Sequence, residues 1–192
     1  MVKESPEELR ERCLNAAIDL WSEESRDFTM SDLATRLRIS KKTLYVHFDS
    51  KDAMLLAAID RWFDDVKAAE QAIIADPDLS TLEKFRQVVI VQPATHGPIA
   101  SAPLARHLEA RPEARRRVLD HLESGWEPVL DLLREGIDAG EIRPVDVDIV
   151  RTVVESTFER LVTDPSAMGD WTRSLDAMMD LLVGGLAPRN DE

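Results

Sequence analysis

One cysteine, one tyrosine and seven glycines are all that 192 residues contain of those types, and aromatic side chains make up only 5%. The lone Cys13 rules out an internal disulfide and any zinc site built from several cysteines. It falls in an apolar helical stripe and reads as a small buried thiol. So little glycine in a chain that is 32% charged favours helices. No stretch alternates apolar and polar residues over a useful strand length, and there is no internal repeat or low-complexity tract. No apolar run approaches the ~20 residues needed to cross a bilayer. The opening MVKESPEELRER is densely charged and lacks the apolar segment of a signal peptide. The expectation is a soluble, cytoplasmic protein with no membrane partner. Also missing are a nucleophile elbow, a phosphate loop and a metal-binding motif, so no catalytic residue is assigned. His96, His107 and His121 lack compact ligand spacing, and neither metal nor cofactor is expected.

What is present is 44% apolar residues, enough for a real core, and a net charge of -13. That field repels nucleic acid in general. The charge is unevenly spread, however. Residues 36–51 hold Arg36, Arg38, Lys41, Lys42 and Lys51 against Asp49 alone. A small basic face on an acidic body suits a protein that touches a polyanion in one place.

Helical spacing organises the chain. Ser5-Pro6-Glu7-Glu8 opens a first helix whose stripe is Leu9, Cys13, Ala16, Ala17, Leu20 and Trp21. Thr29 caps a second over 30–37, a break follows at Arg38-Ile39, and Ser40 caps a short third from Lys41 to about Phe48. A long fourth runs from Lys51 to about Ala75. Further helices are expected near 80–92, 101–110, 113–139, 146–163 and 170–186, with Pro128 kinking the third of these. The fold is therefore all-α: a three-helix unit over residues 1–51 and a larger helical body over 52–192.

On a helical wheel, Leu44 and Phe48 anchor the third helix to the core. Lys42, Thr43 and Val46 face away, Lys41 and Tyr45 form one flank, and His47 lies toward the other. This layout fits a DNA major groove, with outer residues on base edges and flanks on phosphates. Any capped surface helix has one apolar and one polar side. Here, though, a preceding helix with the small Ala34 at its contact face and a tight turn complete helix-turn-helix spacing.

Residues 28–51, FTMSDLATRLRISKKTLYVHFDSK, resemble the N-terminal DNA-binding region of the tetracycline-repressor-type (TetR/AcrR) family. Thr29, the D-L-A at 32–34, I-S at 39–40, T-L-Y at 43–45, Phe48 and S-K at 50–51 match in register. The resemblance covers about the first 65 residues; beyond them only helical content, length and a G-E-I-R-P turn at 140–144 agree. It implies a homodimeric transcription regulator, mostly a repressor in this family, with an N-terminal helix-turn-helix and a body that binds a small ligand. It implies DNA contacts by Lys41, Lys42, Thr43, Tyr45 and His47, with Lys51 on a phosphate and Thr29 close to the backbone; Ser40 and the outward Val46 complete the residues expected at the DNA. The double-stranded operator is expected to be palindromic. One departure is Arg38, where the family usually has a glycine in a left-handed turn. Arginine there costs roughly 1 kcal/mol, which a phosphate contact by Arg38 is expected to offset.

Two late segments carry wide apolar stripes suited to a dimer bundle or to the monomer's own core. The resemblance favours an isologous interface drawing on Val150, Val153, Val154, Thr157, Phe158, Leu161, Trp171, Leu175, Met178, Met179 and Leu182. Phe85, His107, His121, Trp126 and Trp171 are candidates to line an effector cavity. The effector itself is not identified by the sequence. The competing reading is a helical binding or interaction protein, or an enzyme in the body, without operator-specific DNA binding.

Overall fold

The computed structural model describes residues 4–23, 28–91, 108–164 and 170–188. Every regular element among them is an α-helix: α1 (Pro6–Glu23), α2 (Met30–Leu37), α3 (Lys41–His47), α4 (Lys51–Ala75), α5 (Thr81–Val89), α6 (Pro112–Glu123), α7 (Glu127–Asp138), α8 (Val147–Thr163) and α9 (Trp171–Leu186). The expected 101–110 helix lies mostly outside the described residues. None of these helices is long and apolar enough to cross a membrane.

Contacts divide the chain into two compact units, Met1–Asp65 with Gln92–Val118, and Val66–Val91 with Leu119–Glu192. The first reaches past the expected division at residue 51, because Met54, Leu55 and Ala58 on α4 are buried. In this unit α1 packs on α2 and α2 on α3. Its core includes Cys13, Leu14, Ala17, Leu33, Leu44 and Met54. Burial pushes the Cys13 thiol above its ordinary pKa, more than Arg12 lowers it, so the sulfur is protonated packing material. Arg61 ties α4 to α1 by donating to Glu11 at 2.8 Å and pairs with Asp65 one turn on.

In the second unit α7 packs against α5 and α8, and α9 packs against α5 and α8. Phe85, Leu133, Ile142, Val154 and Met179 are buried at its centre. Ser80 and Glu83 start α5 with a reciprocal capping box. Gly136 brings α7 close to the start of α5: a Cβ there would lie 2.6 Å from Thr81 Cγ2 and 2.9 Å from Ile142 Cδ1. The turn after α7 passes through Gly140 at φ +74°, where glycine alone is unstrained. It is held by Arg143 N–H donating to the Leu186 carbonyl at 3.0 Å and by Thr81 donating to Glu141.

The segment expected as one kinked helix over 113–139 is two helices, and this corrects the sequence expectation. Ser124 and Gly125, the latter at φ +83°, end α6. Pro128 then sits in the first turn of α7, where its missing N–H and fixed φ cost nothing.

Candidate DNA-recognition site

The local chemistry of residues 28–51 accounts for the shape of the site. Thr29 Oγ1 accepts from Asp32 N–H at 3.2 Å, and Asp32 accepts from Thr29 N–H at 2.7 Å, a capping box that starts α2. Met30, Leu33 and Ala34 face inward. Arg38 then stops the helix at φ 55°, ψ 41°, the one non-glycine residue with positive φ among the described residues. Its N–H closes on the Ala34 and Thr35 carbonyls. The conformation expected for a glycine is thus kept with an arginine in it. Its exposed guanidinium makes no ion pair among the described residues. Arg12 completes the stop by donating to the Leu37 carbonyl at 3.3 Å while paired with Glu4 at 2.7 Å.

Ser40 Oγ accepts from Thr43 N–H at 3.0 Å and starts α3. The two hydroxyls are 2.8 Å apart, so Thr43 is turned partly back toward its own helix start. Leu44 is fully buried and Phe48 nearly so, with Arg10 over the Phe48 ring at 5.4 Å. Everything else on α3 is turned outward or lies at the edge. Lys41 and Lys42 are exposed, Tyr45 is 49% exposed and Val46 75%, while Thr43 and His47 are half-buried. Tyr45 and Val46 thus leave an aromatic and an aliphatic side chain open to solvent beside the two lysines.

Comparison with known proteins turns this geometry into an identity. Residues 14–58 match the family model for bacterial regulatory proteins of the tetR family. Over 148 residues the chain is 30% identical to the HTH-type transcriptional repressor KstR2 of Mycobacterium tuberculosis, spanning 69% of this chain and 68% of that one. The chain belongs to the tetR family. It is a DNA-binding transcriptional regulator, and regulators of this family bind operator DNA and small-molecule ligands and usually form dimers. They are generally not enzymes. The chain is also 29% identical over 138 residues to YvaF, an uncharacterised HTH-type transcriptional regulator of Bacillus subtilis, covering 72% of this chain and 73% of the relative. A tetR-family regulator structure from Chloroflexus aurantiacus superposes with a TM-score of 0.64 at 25% identity, over 93% of this chain and 94% of that one.

The remaining site expectations of this tetR-family chain fall in varied places. Lys51, expected on a phosphate, has its ammonium donating to the Phe28 carbonyl and lying 4.7 Å from the Phe28 ring centroid. Phe85 is fully buried in the second unit's core. Trp126 is half-buried, its indole N–H donating to the Leu122 carbonyl at 2.9 Å, with Arg151 over its ring at 6.0 Å. His121 and Trp171 are half-buried, on α6 and at the start of α9, and His107 lies outside the described residues. None of the four that are described lines the cleft of about 310 Å³ between α6 and α8, whose walls among the described residues are Leu119, Leu122, Glu123, Arg151, Glu155, Ser156 and Glu159. The charged ones among them, Glu123, Arg151, Glu155 and Glu159, look like plain surface in an acidic chain.

The dimer stripes divide too. Val150, Val154, Leu161, Met178 and Met179 are buried in the chain's own core and have little surface to offer a partner. Thr157, Phe158, Trp171, Leu175 and Leu182 are half-buried. Val153 at 42%, Ile149 at 60% and Leu181 at 79% stand exposed. Leu181 carried no sequence signal beyond its place in an apolar run.

Proposed function

We propose that this regulator is a repressor that binds a palindromic operator as a homodimer and leaves it when a small molecule occupies the helical body. The observation that carries the reading is the outward face of α3, where Lys41, Lys42, Tyr45 and Val46 stand exposed beside the exposed Arg38, which has no ion pair among the described residues. Lys42 donates to guanine O6 or N7, Val46 meets a thymine methyl and Thr43 makes an adaptable polar contact. Arg38, Lys41, Tyr45 and His47 hold the backbone on either side, and the hydroxyls of Thr29 and Ser40 approach it while capping their helices. The protein acts in the cytoplasm, where bacterial DNA lies.

One seven-residue helix binds weakly, so two are needed in successive major grooves, about 34–36 Å apart. Exposed Ile149, Val153 and Leu181 on α8 and α9 supply an apolar surface for that pairing. The similarity to KstR2, a transcriptional repressor, supports the sign of regulation. Ligand release follows from population shift: a coupling of about 1–3 kcal/mol changes operator affinity roughly 5–150-fold.

The test is fluorescence anisotropy with DNA flanking the protein's own gene against scrambled DNA, at low and moderate salt. Salt-sensitive preference for the flanking DNA, lost in Tyr45→Ala at unchanged helicity, is the expected result. If the intact chain bound neither that DNA nor any duplex selected from a random pool, the reading would fail.

A further inference from the structure

Residues 28 and 51 mark the two ends of the helix-turn-helix segment. Phe28 immediately precedes the cap of α2, and Lys51 is the first residue of α4. The Lys51 ammonium donates to the Phe28 carbonyl and sits over the Phe28 ring, 4.7 Å from its centroid. Phe28 is itself buried and packs against Trp21 of α1 at a centroid distance of 4.8 Å. The bond therefore closes a loop that contains α2, the left-handed turn at Arg38 and the whole of α3.

We propose that Lys51 is a positioning residue for DNA recognition, clasping the two ends of this loop together instead of contacting a phosphate. The proposal rests on the DNA-binding reading of α3. A helix of seven residues does not hold its own conformation in water. Within α3 only Leu44 is buried, so beyond its packing on α2 the tilt of the helix depends on its two connections, the Arg38 turn and the residues 48–50 that lead into α4. The clasp holds the beginning of the first connection against the end of the second. The carbonyl of Phe28 lies outside any helix and needs a donor. An ammonium can serve it while resting on the aromatic face that follows from the same residue. Lys41 and Lys42, by contrast, stand exposed on the outward face.

The two roles leave different marks on binding. A phosphate contact is read equally on all DNA, and its loss makes the slope of log affinity against log salt shallower by about 0.9. A positioning bond releases no counterion, and its loss falls hardest on DNA that requires the helix in register. The experiment uses the full chain, a duplex selected by it from random DNA, and a scrambled duplex, with anisotropy read across a salt series.

At a temperature where circular dichroism shows the variant folded, Lys51→Met is expected to lose about tenfold or more in affinity for the selected duplex, the worth of a typical charge-assisted hydrogen bond. It should lose much less on scrambled DNA, keep the salt slope, and regain affinity as Lys51→Arg. A partly unfolded population would weaken both duplexes alike, so the ratio between them separates positioning from stability. Lys51→Gln keeps a donor without the charge and decides the matter should Lys51→Met not fold: the clasp predicts an unchanged slope. A slope shallower by about 0.9 with equal losses on both duplexes would overturn the proposal. So would unchanged affinity in all three variants. Failure of the underlying reading looks different, because the wild-type chain would then select no duplex at all.

Discussion

Arg38→Gly is the substitution in which stability and DNA binding should move in opposite directions. Arg38 holds φ 55° and ψ 41°, a region that costs a residue with a Cβ roughly 1–2 kcal/mol. Glycine removes that cost but brings back about 0.5–1 kcal/mol through the freedom of its unfolded chain. The net expectation is a gain of about 0.5–1 kcal/mol, or a rise in Tm of roughly 1–4 °C for a chain of this size. The guanidinium is lost at the same time. With one phosphate contact fewer, the salt dependence of DNA binding should become shallower by about 0.9 in log–log slope. Thermal unfolding followed by circular dichroism reads the first effect, and anisotropy across a salt series reads the second. Arg38→Asn separates them, because asparagine tolerates the left-handed region without a charge. It should reproduce the DNA defect with a smaller gain in stability. No gain in Arg38→Gly would mean that the turn relaxes around the arginine. A gain with unchanged affinity and slope would refute the phosphate contact, and the strained arginine would then have no explanation in DNA binding.

Leu181→Asp places a charge on the most exposed large apolar residue of α9; it should leave helicity intact and shift the chain toward monomer in light scattering. Unchanged mass would remove this face from the interface. Thr81→Val tests the tie between α5 and the turn after α7. Hydrogen bonds from the Thr81 hydroxyl at 2.5 Å and its N–H at 3.3 Å hold the Glu141 carboxyl below its ordinary pKa. A lowered carboxylate pKa stabilises the fold above the ordinary carboxylate range, and the contribution fades as pH falls through the lowered value. The variant should therefore be less stable than wild type at neutral pH and converge with it in acid. A gap that persists unchanged in acid would contradict that assignment.

The helix-turn-helix was legible in the sequence because its determinants are local. Thr29 and Ser40 cap within three residues of themselves, and Leu44 and Phe48 need only four-residue spacing to share a face. The left-handed turn at Arg38 could be anticipated by register even with the wrong residue type in it. Lys51 could not be read this way, since its partner Phe28 lies 23 residues back and offers a backbone carbonyl, which no side-chain pattern reveals. The break at Ser124-Gly125 lies in the sequence as a helix-ending pair, whereas Pro128 has the same spacing from its neighbours whether it kinks a helix or starts one, and here it starts one. On α8, Val150 and Val154 turn inward while Ile149 and Val153 turn out. A broad apolar stripe serves core and partner together, and spacing alone does not divide it.

The missing side chain at Gly136 also bears on where this body can yield. With Thr81 and Ile142 already within 3 Å of the place a single methyl would occupy, the crossing of α5 and α7 cannot be kept as it is with any side chain at position 136. Close-packed interiors resist such changes as a crystal does. Room for a guest in the helical body is therefore not gained by drawing α5 and α7 closer together at this crossing.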